Sequence, residues 1–251
     1  MAKISAVVIT YNEEKNIRRC LESLSWADEI VVIDSYSQDD TQKIAKEFTD
    51  KIYDVKWEGF GKKKEFARSK ASFEWVLCVD ADEVVTSELK DETKKVVFNQ
   101  TFYDGFYIPR KSNFLGKWIN HCGWYPDYGI RLFRKNKAKF DDSLVHEKLL
   151  VKGKIGYLKN DLLHYTDPNI SHYLFKLNHY TSLSAEELFK RGKKAKIFDL
   201  LFRPPAIFFK MFIFKTGFLA GVYGLILAIL SSFHVFTKYA KLWHLEKNSM
   251  E

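Results

Sequence analysis

Trp75-Val76-Leu77-Cys78-Val79-Asp80-Ala81-Asp82 joins a buried strand to a chemical group. Five consecutive apolar residues suit a strand covered on both faces. Two carboxylates at i and i+2 leaving its end have the donor chemistry for Mg²⁺ or Mn²⁺, whose other positions are filled by phosphate oxygens and water. Alone, Asp-x-Asp is a weak signal, because such triplets also occur in solvated loops. The residues before it supply the context.

Ile4 to Thr10 is a second apolar, β-branched run, followed by the polar turn Tyr11-Asn12-Glu13-Glu14-Lys15-Asn16 and a helical pattern from Ile17 to Leu24. Glu29 to Asp34 is a further strand ending in a carboxylate, and Ser35 to Thr41 supplies turn and N-cap residues for a helix near Gln42 to Phe48. Ile52 to Val55 reads as a short strand and Lys62 to Ala71 as a third helix. This βαβ rhythm predicts a mostly parallel α/β sheet, which binds ligands at the carboxyl ends of its strands. Thr10 to Glu13, Asp34 and Asp80 to Asp82 all fall there.

The ordered motifs Val-Val-Ile-Thr-Tyr-Asn-Glu-Glu (7 to 14), Val-Val-Ile-Asp-Ser-Tyr-Ser-Gln-Asp-Asp-Thr (31 to 41) and Val-Asp-Ala-Asp-Glu (79 to 83) resemble family 2 of the nucleotide-sugar glycosyltransferases. The resemblance implies the GT-A fold, a Rossmann-like nucleotide-sugar domain using a UDP-sugar donor and Mg²⁺ or Mn²⁺. It also implies that Thr10, Tyr11, Asn12, Glu13 and Asp34 cradle the uridine, that Asp80 lies by the ribose or diphosphate, and that Asp82 ligates the metal with it. Tyr11 as a packing residue and Glu13 as a helix-start charge are the plainer readings. One departure is Tyr36, where many relatives have glycine; it predicts a differently shaped turn. One of the lysines of Gly61 to Ala67, Lys63 foremost, is expected to reach a phosphate, the plainer reading of each being a solvated basic helix start.

From Phe102 to Tyr128 the chain turns aromatic and loop-rich, as an acceptor site requires. Gly123 to Arg134, followed by Val145-His146-Glu147, is similar to the branch that adds one sugar, often glucose in β-1,4 linkage, to the lipopolysaccharide inner core. Inverting transfer needs a group to take the acceptor proton opposite the leaving diphosphate, a contribution of ~10²- to 10⁴-fold. Glu147 is the first candidate base and Asp127 the second. His146 is a candidate for orienting a neighbour or touching a phosphate, its plainer reading being a hydrogen-bonded structural residue; Arg131 and Arg134 are candidates for binding the diphosphate or an anionic acceptor, although alternate basic residues on a strand also form its wet face. The only glutamines are Gln38, Gln42 and Gln100, so the Gln-x-x-Arg-Trp motif that processive members share is missing and a single sugar is expected.

Residues 190 to 215 hold eight Lys and Arg against Asp199, +7 of the chain's +8 charge, interleaved with phenylalanines. Such a mixture also suits nucleic acid, but the neighbouring segment argues against that partner. Thr216 to Thr237 carries no formal charge over 22 residues, and a helix of that length would reach across a bilayer core of ~30 Å. Ser231, Ser232 and His234 dilute it, so spanning, re-entrant and surface-lying arrangements all fit, as does a buried helix pair. The predicted organisation is a catalytic domain over 1–190 (nucleotide-sugar half 1–100, acceptor half 101–190) and membrane-associating helices over 191–251. Positive-inside logic puts the basic patch at the cytoplasmic face of the inner membrane.

Three cysteines without a CxxC pair fit a reducing compartment, and the first apolar run is too short for a secretion signal. The expected activity is therefore transfer of one hexose from a UDP-sugar to a lipopolysaccharide-core or other lipid-linked acceptor. Transfer to a polyprenyl phosphate, or a non-catalytic nucleotide-binding tether, are the alternatives. Oligomeric state is not legible.

Overall fold

The computed structural model describes residues 2–99, 101–141 and 148–248. In chain order the elements are β1 (Ile4–Thr10), α1 (Ile17–Leu24), β2 (Glu29–Asp34), α2 (Thr41–Ala45), β3 (Ile52–Asp54), α3 (Phe60–Lys70), β4 (Trp75–Asp80), β5 (Glu83–Val85), α4 (Ser87–Phe98) and β6 (Gly105–Phe114). There follow β7 (Lys117–Trp118), β8 (Asp127–Arg134), β9 (Ala138–Phe140), β10 (Leu149–Val151), β11 (Ile155–Tyr157), β12 (Leu162–Asp167), α5 (Ile170–Lys190), α6 (Ile197–Leu201), α7 (Arg203–Phe209) and α8 (Val222–Asn248). The main sheet has the order β3-β2-β1-β4-β8-β6-β12-β5, with β7 and β11 also paired to β6. β3, β2, β1 and β4 are parallel, whereas β8 enters antiparallel between β4 and β6.

The chain divides into two compact units: residues 1–111 with 127–165, and residues 112–126 with 166–251. In the first, every residue of β1 is buried, and the strand alternation sorts side chains to two faces. Ala6, Val8, Val32, Leu77 and Val79 meet Ile17, Cys20, Leu21 and Leu24 of α1, whose i, i+3, i+4, i+7 spacing makes one stripe. Val7, Ile9, Val31, Ile33, Val76 and Cys78 face the opposite way, against Ala67 of α3 and Phe133 of β8. Each valine, leucine, isoleucine or phenylalanine among them contributes ~1.5–3 kcal/mol on burial. The helix expected to reach Phe48 stops at Ala45, where tighter turns take over, Glu47 N donating to Ile44 O and Phe48 N to Ala45 O.

The region expected to be loop-rich contains the ten-residue strand β6. Pro109 inside the run and the polar residues after it disguise that strand, since proline supplies no ladder donor.

In the second unit the uncharged segment is not one helix. A π-helical turn covers 210–214, Thr216 (φ 52°) then opens a 3₁₀ turn over Gly217–Ala220, and Gly221 (φ 64°) precedes α8. The crossing is tight: a Cβ on Gly224 would lie 1.9 Å from the Gly217 carbonyl oxygen. α8 therefore has 16 uncharged residues before Lys238, ~24 Å of helix. Phe114, Ile119, Cys122 and Leu227 form this unit's buried cluster, and α5 packs along α8.

Candidate active site

The register places Thr10 beside Asp34, and Ile9 beside Asp80, so the ends of β1, β2 and β4 form one row. Two loops beyond it are stapled together. Asn12 (φ 52°) donates its N–H to Ser37 Oγ at 2.8 Å and accepts from Gln38 N at 2.8 Å; Glu13 N donates to Thr41 Oγ1 at 2.8 Å. Asp34, fully buried, accepts from Ser37 N (2.7 Å), Ser37 Oγ (2.5 Å) and Gln42 Nε2 (2.8 Å). Asn12, Glu13 and Asp34 thus shape the loops with their own polar groups. Tyr11 and Tyr36 stand on the rim, 56% and 54% exposed, so Tyr11 is not a packing residue. Tyr36 adopts φ 60°, the left-handed conformation a glycine would take most easily, so this departure leaves the backbone turn in the geometry glycine favours.

Behind the row lies a chain of alternating charges. Lys64 Nζ is 3.1 Å from Asp80 Oδ1, and Arg131 Nη2 is 3.0 Å from Asp80 Oδ2 and 2.7 Å from Glu83 Oε1. Glu83, with no solvent exposure, also accepts from Asp80 N at 2.9 Å and lies 3.4 Å from Arg110 Nη1. Arg110 donates in turn to Asp127 Oδ2, its Nε at 3.0 Å. Burial alone would raise the Asp80 carboxyl, but Arg131 and Lys64 outweigh it and hold Asp80 well below the usual carboxylate range. Burial would likewise lower Arg131, yet Asp80 and Glu83 raise it well above its ordinary value. Lys63 donates to the Thr10 carbonyl at 2.6 Å, and burial lowers its ammonium to about 8 against the opposing pull of Asp34 and Asp80.

Asp82 accepts a contact from His164 Nε2 at 3.2 Å, and its carbonyl accepts from Tyr165 N at 2.9 Å. Asp80 Oδ1 is buried and receives no well-aligned hydrogen bond, despite the nearby Lys64 ammonium. Among the described residues no three His, Cys, Asp or Glu side chains form a ready-made metal cage. One or two carboxylates completed by substrate phosphates is the arrangement Mg²⁺ commonly accepts, so Asp80 and Asp82 fit it.

Of the residues singled out from sequence, Thr10, Asp34, Lys63, Asp80 and Arg131 converge here, and Asp127 joins through Arg110. Arg134 does not: β4 and β8 run antiparallel, pairing Arg134 with Trp75 at the opposite end of β4. There it pairs with Glu74 and stacks on Trp75, 4.7 Å from the ring centroid. That placement corrects the diphosphate role considered for it. His146 and Glu147 lie outside the described residues. Sequence reasoning passed over Glu83, Arg110 and His164, and weighed Lys64 only as one of the lysines of Gly61 to Ala67. Glu83 had a signal in closing the acidic motif, whereas Arg110 and His164 become visible only through their register partners Asp127 and Glu83.

A parallel β3-β2-β1-β4 half-sheet carrying an acidic motif at its carboxyl edge, continued by antiparallel strands, is the GT-A architecture of nucleotide-sugar transferases. The fold is shared with the mannosyltransferase PcManGT from Pyrobaculum calidifontis, solved with GDP-Man and Mn²⁺: TM-score 0.54 at 13% identity, covering 96% of this chain and 86% of that one. Glucosyl-3-phosphoglycerate synthase from Mycobacterium tuberculosis, solved with Mn²⁺, UDP and glucosyl-3-phosphoglycerate, is similar at TM-score 0.50 and 17% identity, over 76% and 81% of the two chains. The Glycosyl transferase family 2 profile matches residues 5–150, and the chain belongs to that family. It is 33% identical to an uncharacterised glycosyltransferase of Rickettsia typhi, over 99% of this chain and 89% of the relative. It is 28% identical to LpsC, a lipopolysaccharide core biosynthesis glycosyltransferase of Rhizobium meliloti, over 96% and 92%.

Proposed function

We propose that this glycosyltransferase moves one hexose, with inversion, from a UDP-sugar to a lipopolysaccharide-core or other lipid-linked acceptor at the cytoplasmic face of the membrane, glucose being the expected sugar. The observation that carries the donor half is the convergence of Thr10, Asp34, Lys63 and Asp80 at the carboxyl ends of three parallel strands, with Arg131 beside them. Thr10 Oγ1 and Ser35 Oγ, buried at those ends without a hydrogen-bond partner, are groups for a bound nucleotide or its waters to satisfy. Tyr11 and Tyr36 offer exposed rings to a base. The likeness to LpsC over most of both chains supports the acceptor class.

Asp80 and Asp82 would hold Mg²⁺ or Mn²⁺, which when bound offsets the charge developing on the departing diphosphate. Lys63 and Arg131 add fixed positive charge to the same end of the sheet. Asp127, half-exposed and oriented by Arg110, is the candidate among the described residues for taking the acceptor proton; Glu147 is the other.

The test is UDP release over a panel of UDP- and GDP-sugars, with and without Mn²⁺, followed by transfer to lipopolysaccharide-core acceptors. Metal-dependent release from one UDP-hexose is expected, falling at least ~10²-fold in Asp82→Ala at subsaturating metal. Asp127→Asn that keeps donor binding but loses transfer identifies the base; full activity there moves the role to Glu147. Full transfer in both Asp127→Asn and Glu147→Gln, with a polyprenyl phosphate accepted, would replace the acceptor assignment.

A further inference from the structure

The second unit exposes large apolar side chains in one pattern. On α8, Val222, Leu225, Ile229, Phe233 and Phe236 are between 38% and 68% exposed. Their spacings of three, four, four and three residues draw a single stripe along the helix. The opposite face of α8 is occupied, since Leu227, Ala228 and Leu242 are buried and Lys241 Nζ donates to Asn178 O (2.6 Å), Thr181 Oγ1 (2.9 Å) and Ser182 Oγ (2.8 Å) of α5. At the turn before α8, Phe214, Phe218 and Leu219 are 79%, 50% and 61% exposed.

The charges in the same unit decide what covers this face. Lys193, Lys194, Lys196, Lys210 and Lys215 are exposed. The one acid between 191 and 245, Asp199, is buried, paired with Arg203 and accepting from Lys196 N at 2.9 Å. Two copies meeting stripe to stripe would bring two such basic segments together and repel. An anionic surface attracts both instead.

We propose that the stripe of α8 and the 214–219 turn form an in-plane anchor that lies in the headgroup layer of an anionic leaflet. Three features oppose a span: the interruption at 216–221, the ~24 Å of uncharged helix against a core of ~30 Å, and the α5 side chains along the other face of α8. A helix with one apolar face and flanking lysines inserts ~5–10 Å instead. This deepens the reading of a membrane-borne acceptor and rests on it for its purpose; the test reads binding and depth separately from turnover.

The full chain is floated with phosphatidylcholine vesicles with or without phosphatidylglycerol. Partition onto the anionic vesicles is expected. It should fall ~10²-fold or more in Phe214→Ser/Phe218→Ser/Leu219→Ser, and about fivefold for each of Lys193→Gln, Lys194→Gln and Lys196→Gln. Vesicle-free UDP release and circular dichroism, unchanged in these variants, show that they fold. Environment-sensitive labels on Leu219→Cys and Phe236→Cys, against the buried native cysteines, should report similar shallow depths. Depths differing by ~20 Å would mean a span and overturn the proposal. So would equal flotation on neutral vesicles, or no flotation with a concentration-dependent dimer in sedimentation. Flotation without UDP release from any donor would fault the enzymatic reading and leave the anchor standing.

Discussion

Replacing Glu83 by glutamine keeps the side chain's volume and an acceptor for Asp80 N–H, but removes the charge that Arg131 faces at 2.7 Å. Near 3 Å, at an effective dielectric constant of ~20, one such contact has a gross energy of ~5 kcal/mol, most of it offset by desolvation. Breaking a buried pair from one side leaves the partner's desolvation uncompensated, a loss of ~3–5 kcal/mol. Asp80 retains Arg131 and glutamine still accepts, so Glu83→Gln is expected at the low end, ~3 kcal/mol, read as a lowered urea midpoint with an unchanged slope. Arg131→Met should destabilise similarly. The double variant should lose at least ~1.5 kcal/mol less than the sum, because neither charge is then stranded. A loss below ~1 kcal/mol for Glu83→Gln, or additivity within ~0.5 kcal/mol, would refute the reading of the charge chain as one interdependent unit.

Three further outcomes follow from named groups. Lys63 has a native pKa lowered to about 8, so the unfolded chain binds its proton more readily, and this group's contribution to stability should rise between pH ~8 and ~10.4; the urea midpoint of wild type should rise relative to that of Lys63→Met across that window, and a constant difference would contradict the assignment. Burial would raise Glu29, but hydrogen bonds from Lys51, Ser5 and Ser72 bring it down to about 2. Its stabilisation is complete above pH ~4.3 and lost toward ~2, so Glu29→Gln should flatten that part of the acid-unfolding curve; an unchanged curve would contradict the assignment. Gly224→Ala forces a methyl toward the Gly217 carbonyl and should lower thermal stability by several degrees, whereas Gly192→Ala, with open space around it but φ 68°, should lower it by less.

The parallel half-sheet was legible because its strands are continuous apolar runs closed by polar turns, so β1, α1 and β2 match their expected bounds. The carboxylates were legible for the same reason: a strand's end fixes what leaves it. β6 was hidden by Pro109, and for the 216–237 segment a span, a re-entrant hairpin and a helix pair all stayed open, because absence of charge says nothing of the Gly217–Gly224 crossing. Arg134 misled in a third way. Strand alternation sorts residues between faces, but which end of a sheet a residue occupies depends on the partner strand's direction.

The placement of β5 has a consequence for how the protein forms. Among the described residues β5 pairs with β12 alone, joining Val85 to Leu162 and Glu83 to His164 across about 80 residues of chain. Loop-closure entropy makes such a contact slow relative to the β1–α1–β2 core, where strands a few tens of residues apart pair first. On a ribosome the motif containing Asp82 emerges well before the strand that supplies His164 and the Tyr165 amide. The acidic edge therefore waits, solvated, for the last strand of the sheet.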